Sequence, residues 1–490
     1  MTARNVVLIV FDTARADVLA SHIAEESPET SPLAKLATEG TTVETAFAGS
    51  PWTLPSHASL FTSTYPSKHG AHAGHKRLES GRRTLAEAFA DAGYETVAVS
   101  NNTWISDEFG FARGFDEFVK TWQYVQTEAD FGAIARTQLG TDRLRAALGR
   151  LFDGNPFLNA INAIYGQYLR RRHDDGARRT NEWVADWLDN RIDDRPFFFF
   201  INYLEPHLEY RPPKEHAERY LPGETTYEDA MDVPQDAWGY IAGTVDMDDH
   251  DFEVLRSLYR AEIAYLDERL GELRRYLEAA GEWTDTVFVV TADHGENIGD
   301  HGFMDHQYCL YDTLLHVPLL VHGGGFTDDE PVDELVQLPD LGPTLLDATG
   351  VDAPTYRAQA QGRSFHPESA ASPREYVVAE YLAPQPSMTA LRTRVGRLPS
   401  DVRRYDRSLR AIRDEEWKLI RGSDGSTELY HIVADPEERN DLSAGRPDVM
   451  RRLDRMLDEW LASFEQAEPS GSVDMAEGTK RRLEDLGYLQ

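Results

Sequence analysis

Asp12, Thr53, Asp293 and His294 lie far apart in the chain, yet their types can share a divalent cation and activate a hydroxyl. Adjacent carboxylate and imidazole suit such a cation, and Gly295 lets the backbone turn away behind them. A free threonine hydroxyl is a poor nucleophile because it is almost wholly protonated near neutral pH; coordination lowers its pKa and aims its oxygen. The chemistry expected is attack on phosphorus or sulfur in an anionic ester, a reaction that needs mainly positioning and charge neutralisation. Each piece also has a bland reading. Asp12 could cap the next helix, Asp293-His294-Gly295 could be an ordinary turn, and Pro55-Ser56 is a common helix start.

The elements around these residues favour the chemical reading. Residues 5–11 are apolar and largely β-branched beyond Asn5, which predicts a buried parallel strand. Asp12 at its end is costly unless paired or metal-bound, and ligands of open α/β sheets bind at the carboxyl ends of strands. Residues 286–292 repeat the pattern ahead of Asp293-His294. Around Thr53, Pro55 predicts an extended Leu54 and Ser56 an N-cap, so Thr53 should lie just ahead of a positive helix end that attracts anions. Further strands at 95–100, 196–203 and 317–322 alternate with helical patterns, predicting an α/β fold with a central, mostly parallel sheet covered on both faces. Short antiparallel strands are expected at 376–380, 408–412 and 417–420, then a helix from about 446 to 464. The expected organisation is a catalytic domain over 1–375 with a helical insert at 119–182, a small α+β subdomain over 376–465, and an acidic tail over 466–490.

The ordered motifs resemble the sulfatase family of the alkaline-phosphatase superfamily over nearly the whole chain. Asp12 matches the family's first metal ligand, and Thr53-Leu54-Pro55-Ser56-His57 matches the Cys/Ser-x-Pro-x-Arg nucleophile segment. Tyr65-Pro66-Ser67-Lys68-His69-Gly70 resembles the segment after it, and Tyr203-Leu204-Glu205-Pro206-His207 the Pro-His segment whose His faces substrate. Asp293-His294-Gly295-Glu296 followed by Gly299-Asp300-His301-Gly302 is the most specific match. The resemblance implies an alkaline-phosphatase-like fold and a divalent metal (Ca, Mn, Zn or Mg; one ion or two) held by Asp12, Asp293, His294 and Thr53. It further implies Thr53 as nucleophile, His57 steadying it, and His207 and His306 binding the transferring group or protonating the leaving oxygen. Glu296 would orient the metal site or cap a helix.

Several residues depart from the family pattern. The family oxidises its Cys or Ser to a formylglycine, whereas Thr53 carries an extra methyl and could yield only a ketone. His57 stands where the family has Arg, Thr13 where it has a second Asp, and His306 where it has Lys. Threonine nucleophiles and an Asp-His pair resemble the members that cleave phosphodiesters and phosphonates. The expectation is therefore phosphoester chemistry, with true sulfatase activity on unmodified Thr53, group transfer, and an inactive anion-binding module as alternatives.

Composition bounds the setting. Net charge is −34, spread along the chain, and the hydrophobic fraction of 41% argues against disorder. Such acidity argues against nucleic acid as a partner and, with lysine scarce, for a high-salt cytoplasm. A single cysteine, Cys309, excludes an internal disulfide. No apolar run approaches the ~20 residues of a membrane helix, and no secretory signal precedes the first strand, so an intracellular, soluble protein is expected. In the insert, Arg143, Arg145, Arg150, Arg170, Arg171, Arg172, Arg178 and Arg179 make a basic patch. It reads either as cations closing a surface helix or as a lid selecting a large anionic substrate, such as a phosphorylated or sulfated sugar, a lipid head group or a glycan. Oligomeric state is not legible.

Overall fold

A computed structural model describes residues 4–79, 81–121, 176–327, 332 and 334–467. The proposed lid, apart from its edges, and the tail from 468 lie outside the described residues. In chain order the strands are β1 (Asn5–Phe11), β2 (Thr41–Thr42), β3 (Ala46–Phe47), β4 (Glu95–Ser100), β5 (Glu117–Lys120), β6 (Phe197–Tyr203), β7 (Thr286–Ala292), β8 (Asn297–Ile298), β9 (Met304–Asp305) and β10 (Leu319–His322). Seven of them form one sheet in the order β2-β10-β7-β1-β6-β4-β5. From β7 to β5 every pairing is parallel, while β10 runs antiparallel to both β7 and β2. The strand expected at 317–322 thus reverses direction at one side of an otherwise parallel array, a common departure in large α/β sheets.

β1, β6 and β7 are buried along their whole length, which is why they read as continuous apolar runs without alternation. Aromatic packing covers β6: Phe200 meets Phe61 of the helix Thr53–Thr62 at 4.8 Å between ring centroids, and Phe198 stacks on Phe89 at 4.7 Å. The 32-residue helix Asp249–Ala280 opens with an Asp248/Asp251 capping box and ends at Gly281 in the left-handed region. Its Tyr259 hydroxyl donates to Thr13 O at 2.7 Å and accepts the Arg15 N–H at 2.8 Å, so this helix grips the turn after β1.

Two short strands pair in parallel, β3 with β11 (Val336–Gln337). Strands β12 (Val377–Tyr381), β13 (Leu409–Arg413), β14 (Trp417–Gly422) and β15 (Thr427–His431) form the expected small antiparallel sheet. The helix Pro447–Ala462 packs on it around Ile412, Leu419, Leu429, Leu453 and Leu457. Glu380 of β12 ties this unit to the large one, accepting from the Ser67 N–H at 2.7 Å. Fully buried Lys418 does the same, reaching Asp312 at 2.6 Å and Glu438 at 2.7 Å. Among the described residues no helix is long and apolar enough to cross a membrane.

Candidate active site

β1 and β7 are parallel neighbours in register, with Phe11 opposite Ala292. The next residue of each, Asp12 and Asp293, therefore emerges side by side at the carboxyl edge of the sheet. Thr13 adopts a left-handed conformation at φ 64°, rare for a β-branched residue and worth about 1–3 kcal/mol of local strain. This conformation turns the Thr13 N–H onto Asp293 Oδ1 at 3.2 Å.

Thr53 approaches from the other side. Here the sequence expectation needs correcting: the helix starts at Thr53 itself, Trp52 is its extended N-cap, and Leu54 is helical. Pro55 sits in the first turn, where a missing N–H costs nothing, so it does not push Leu54 out of the helix. Ser56 is not the cap. Its hydroxyl donates instead to Asp293 O at 2.6 Å, fastening the helix start to the end of β7. Thr53 Oγ1 comes to 3.4 Å from His294 Nε2. His57 Nδ1 lies 2.9 Å from Thr53 O and 3.4 Å from Asp293 Oδ2, linking nucleophile candidate and carboxylate from the helix side.

Asp12, Thr53, Asp293 and His294 are all fully buried. Asp12 Oδ2 accepts from Asn102 Nδ2 at 2.6 Å, while Asp12 Oδ1 has no hydrogen-bond partner among the described residues. Asp293 Oδ1 takes the backbone N–H groups of Thr13 and His294; its Oδ2 accepts no hydrogen bond from the described residues. His294 Nδ1–H donates to Gly295 O at 2.9 Å, which leaves the Nε2 lone pair turned towards Asp293 Oδ2, 3.3 Å away, and Thr53. Burial lowers the His294 pKa to about 3, so its imidazole is neutral. Burial and the neighbouring Asp293 push Asp12 well above the usual carboxylate range. Burial acts the same way on Asp293, but the imidazoles of His294 and His57 and the Thr13 N–H outweigh it and hold this carboxyl low. Ligand atoms of Asp12, Asp293 and His294 lie within 4.8 Å of one another. Two orphaned carboxylate oxygens facing a neutral imidazole nitrogen in a buried site fit a divalent cation with oxygen and nitrogen donors.

A second group borders the first. The His306 ring centroid is 4.5 Å from that of His294 and 5.4 Å from that of His207. Burial opposes charge on His306, but Asp305 at 2.5 Å and Glu296 at 3.3 Å from its Nδ1 overcome this and raise its pKa well above the ordinary value. His207 is the reverse: burial, reinforced by His306, lowers it to about 4, and its Nδ1–H donates to Leu208 O. The site thus pairs a cationic with a neutral imidazole. Glu296 caps no helix; burial raises it to about 7 and it sits against His306. His69 and His301 serve structure, one bonded to Ser59 Oγ at 3.1 Å and the other stacked on Tyr311 at 3.7 Å.

Sequence reasoning passed over Asn102 and Asp305. Asn102 carries the signal used for Asp12, a polar residue just past a buried strand, in the run Ser100-Asn101-Asn102. Asp305 ends the two-residue strand β9 just before His306, at a φ of 69° that no periodicity marks.

A mostly parallel sheet thus presents two carboxylates, an imidazole and a hydroxyl at its carboxyl edge, beside the His306 imidazole held cationic by Asp305 and Glu296. The chain belongs to the sulfatase family, whose model matches residues 4–351. An arylsulfatase of Clostridium perfringens is 26% identical over 404 residues, covering 77% of this chain and 81% of the relative. The phosphonate monoester hydrolase of Silicibacter pomeroyi superposes with a TM-score of 0.64 at 22% identity, covering 94% of each chain. A structure solved in complex with its substrate D-glucosamine-2-N,6-O-disulfate gives a TM-score of 0.67 at 17% identity, covering 94% of this chain and 98% of that one.

Proposed function

We propose that this hydrolase cleaves phosphate or sulfate esters with Thr53 as its unmodified nucleophile. The observation that carries the reading is the approach of Thr53 Oγ1 to His294 Nε2 beside the orphaned oxygens of Asp12 and Asp293. Asp12, Asp293, His294 and Thr53 would hold a divalent cation. When bound, it supplies charge neutralisation and a lowered pKa for the threonine hydroxyl. Thr53, its hydroxyl proton released to solvent as it ionises, attacks phosphorus or sulfur as the alkoxide, and the bond to the leaving oxygen breaks as that oxygen takes a proton from the His306 imidazolium. The same imidazolium neutralises the non-bridging oxygens, the task for which the family pattern uses a lysine. Neutral His207 accepts a proton from the water that attacks the threonine ester, the bond to Thr53 breaks and returns it as the alkoxide, and His306 regains its proton from solvent. His57 keeps the Thr53 carbonyl and Asp293 in place.

Phosphoester chemistry is favoured because Thr53 cannot become a formylglycine. The family match and the disulfated glucosamine bound by a structural neighbour support sulfated sugars as the second reading. The charge of −34 supports a high-salt medium. The test offers aryl phosphate, aryl phosphodiester and aryl sulfate to the metal-loaded protein in high salt. Turnover lost in Thr53→Ala supports the reading; absence of turnover for all three with metal bound would favour a binding role.

A further inference from the structure

Thr13 turns the chain sharply after β1, and Arg15 is the first long side chain beyond that turn. Its backbone N–H is held by the Tyr259 hydroxyl, and its side chain is only 13% exposed. Nε and Nη2 donate to the two oxygens of Asp17 at 2.9 and 2.8 Å, a bidentate pair that fixes the plane of the guanidinium. The remaining Nη1 donates to Glu296 O at 3.2 Å and to Asp300 Oδ2 at 2.9 Å.

What Nη1 grips is a small ribbon. β8 and β9 pair antiparallel, with Asn297 opposite Asp305 and Ile298 opposite Met304. Glu296 stands just before the ribbon and His306 just after it, and the two meet where Glu296 Oε1 lies 3.3 Å from His306 Nδ1. The ribbon therefore carries His306 together with both carboxylates that keep it charged. Asp300 Oδ2 also accepts the Ile298 N–H at 2.8 Å, so Arg15 holds β8 directly at Glu296 and through Asp300 at Ile298. Close packing reinforces the grip: a Cβ on Gly295 would lie 3.3 Å from Arg15 Cγ and 2.1 Å from Thr313 O. Arg256 of the long helix also donates to Ile298 O, at 2.5 Å. Of these two arginines, Arg15 is the one that springs from the turn following Asp12.

We infer that Arg15 is a positioning residue: it ties the ribbon to the end of β1 and so fixes His306 relative to Thr53, Asp12, Asp293 and His294. The inference rests on the proposed role of His306 as the acid and adds the side chain that holds that acid in place. A lysine would restore the charge, but one ammonium cannot keep the bidentate hold on Asp17 while also reaching Glu296 O and Asp300.

The experiment is a double-mutant cycle of wild type, Arg15→Gln, His306→Gln and the double variant, on whichever of aryl phosphate and aryl sulfate is turned over. Arg15→Gln should lower kcat about tenfold with KM nearly unchanged, and should cost less than about twofold once residue 306 is already Gln. Arg15→Lys should recover part of the loss, and it carries the same comparison should Arg15→Gln not fold. Equal losses in the two backgrounds would make Arg15 a general structural support and overturn the inference. Amide hydrogen exchange of the folded protein reads the clamp without turnover. Peptides covering 296–306 should exchange several-fold faster in Arg15→Gln, with 5–11 and 53–62 unchanged. Faster exchange confined to the ribbon supports the clamp even if no ester is turned over, in which case the hydrolytic reading alone fails. Exchange unchanged at 296–306, or raised equally throughout the chain, overturns it.

Discussion

Thr53 makes its case by position more than by type. A threonine lacks the acidity of a thiol and cannot be oxidised to an aldehyde, so in the proposed mechanism its activation comes from a cation held by Asp12, Asp293 and His294. Thr53→Ala should lower kcat about a thousandfold or more, with Thr53→Ser keeping a measurable fraction, in steady-state assays at saturating metal. In the same mechanism His306 bears the cationic role. His306→Gln should cost about a hundredfold in kcat/KM, and His306→Lys should recover part of it, because a lysine restores the charge without the imidazole geometry. These residues were legible because each sits at a strand end or in a dense motif. Asn102 and Asp305 were not, since what matters in them is the atom they touch: Asp12 Oδ2 for one and His306 Nδ1 for the other.

The strands were read closely from their apolar runs: 5–11, 95–100, 196–203 and 286–292 reappear as β1, β4, β6 and β7 within one residue. The helix start was misread because proline's local rule yields to its tolerance in a first turn, and because Ser56 found a partner across the fold in Asp293 O, beyond any local pattern. Ser56→Ala should therefore lower stability by about 1–2 kcal/mol in denaturant unfolding, and lower activity beyond what stability alone explains. The fastening of the small sheet is testable in the same way. Lys418→Met strands Glu438 in a buried setting, leaving Asp312 with Arg413 alone, and should destabilise by about 3 kcal/mol. The nucleophile helix also has an acid-sensitive contact. His69 accepts the Ala71 N–H at Nδ1 and donates from Nε2 to Ser59, and burial lowers its pKa to about 3. Its folded pKa lies below the unfolded value of about 6.5, so its contribution is present above pH ~6.5 and is lost as pH falls towards 3. His69→Asn should flatten that part of the stability profile.

For the whole molecule, charge sets the conditions. With a net −34 the folded chain repels itself, and screening relieves this, so Tm should climb by several degrees between about 0.1 M and about 2 M KCl. Indifference to salt would count against a high-salt setting. The total charge was evident from composition; what composition could not show is where the scarce cations lie. Lys418 is held between Asp312 of the large unit and Glu438 of the small one, a placement that only three-dimensional packing makes. All of the chemistry depends on Thr53 carrying the transferred group. Acid-quenching the metal-loaded protein during turnover of aryl phosphate and aryl sulfate, followed by peptide mass spectrometry, tests this most directly. The account predicts a phosphoryl or sulfuryl adduct on Thr53, absent from Thr53→Ala; undiminished turnover by Thr53→Ala, with residue 53 unmodified in the wild type, would contradict it.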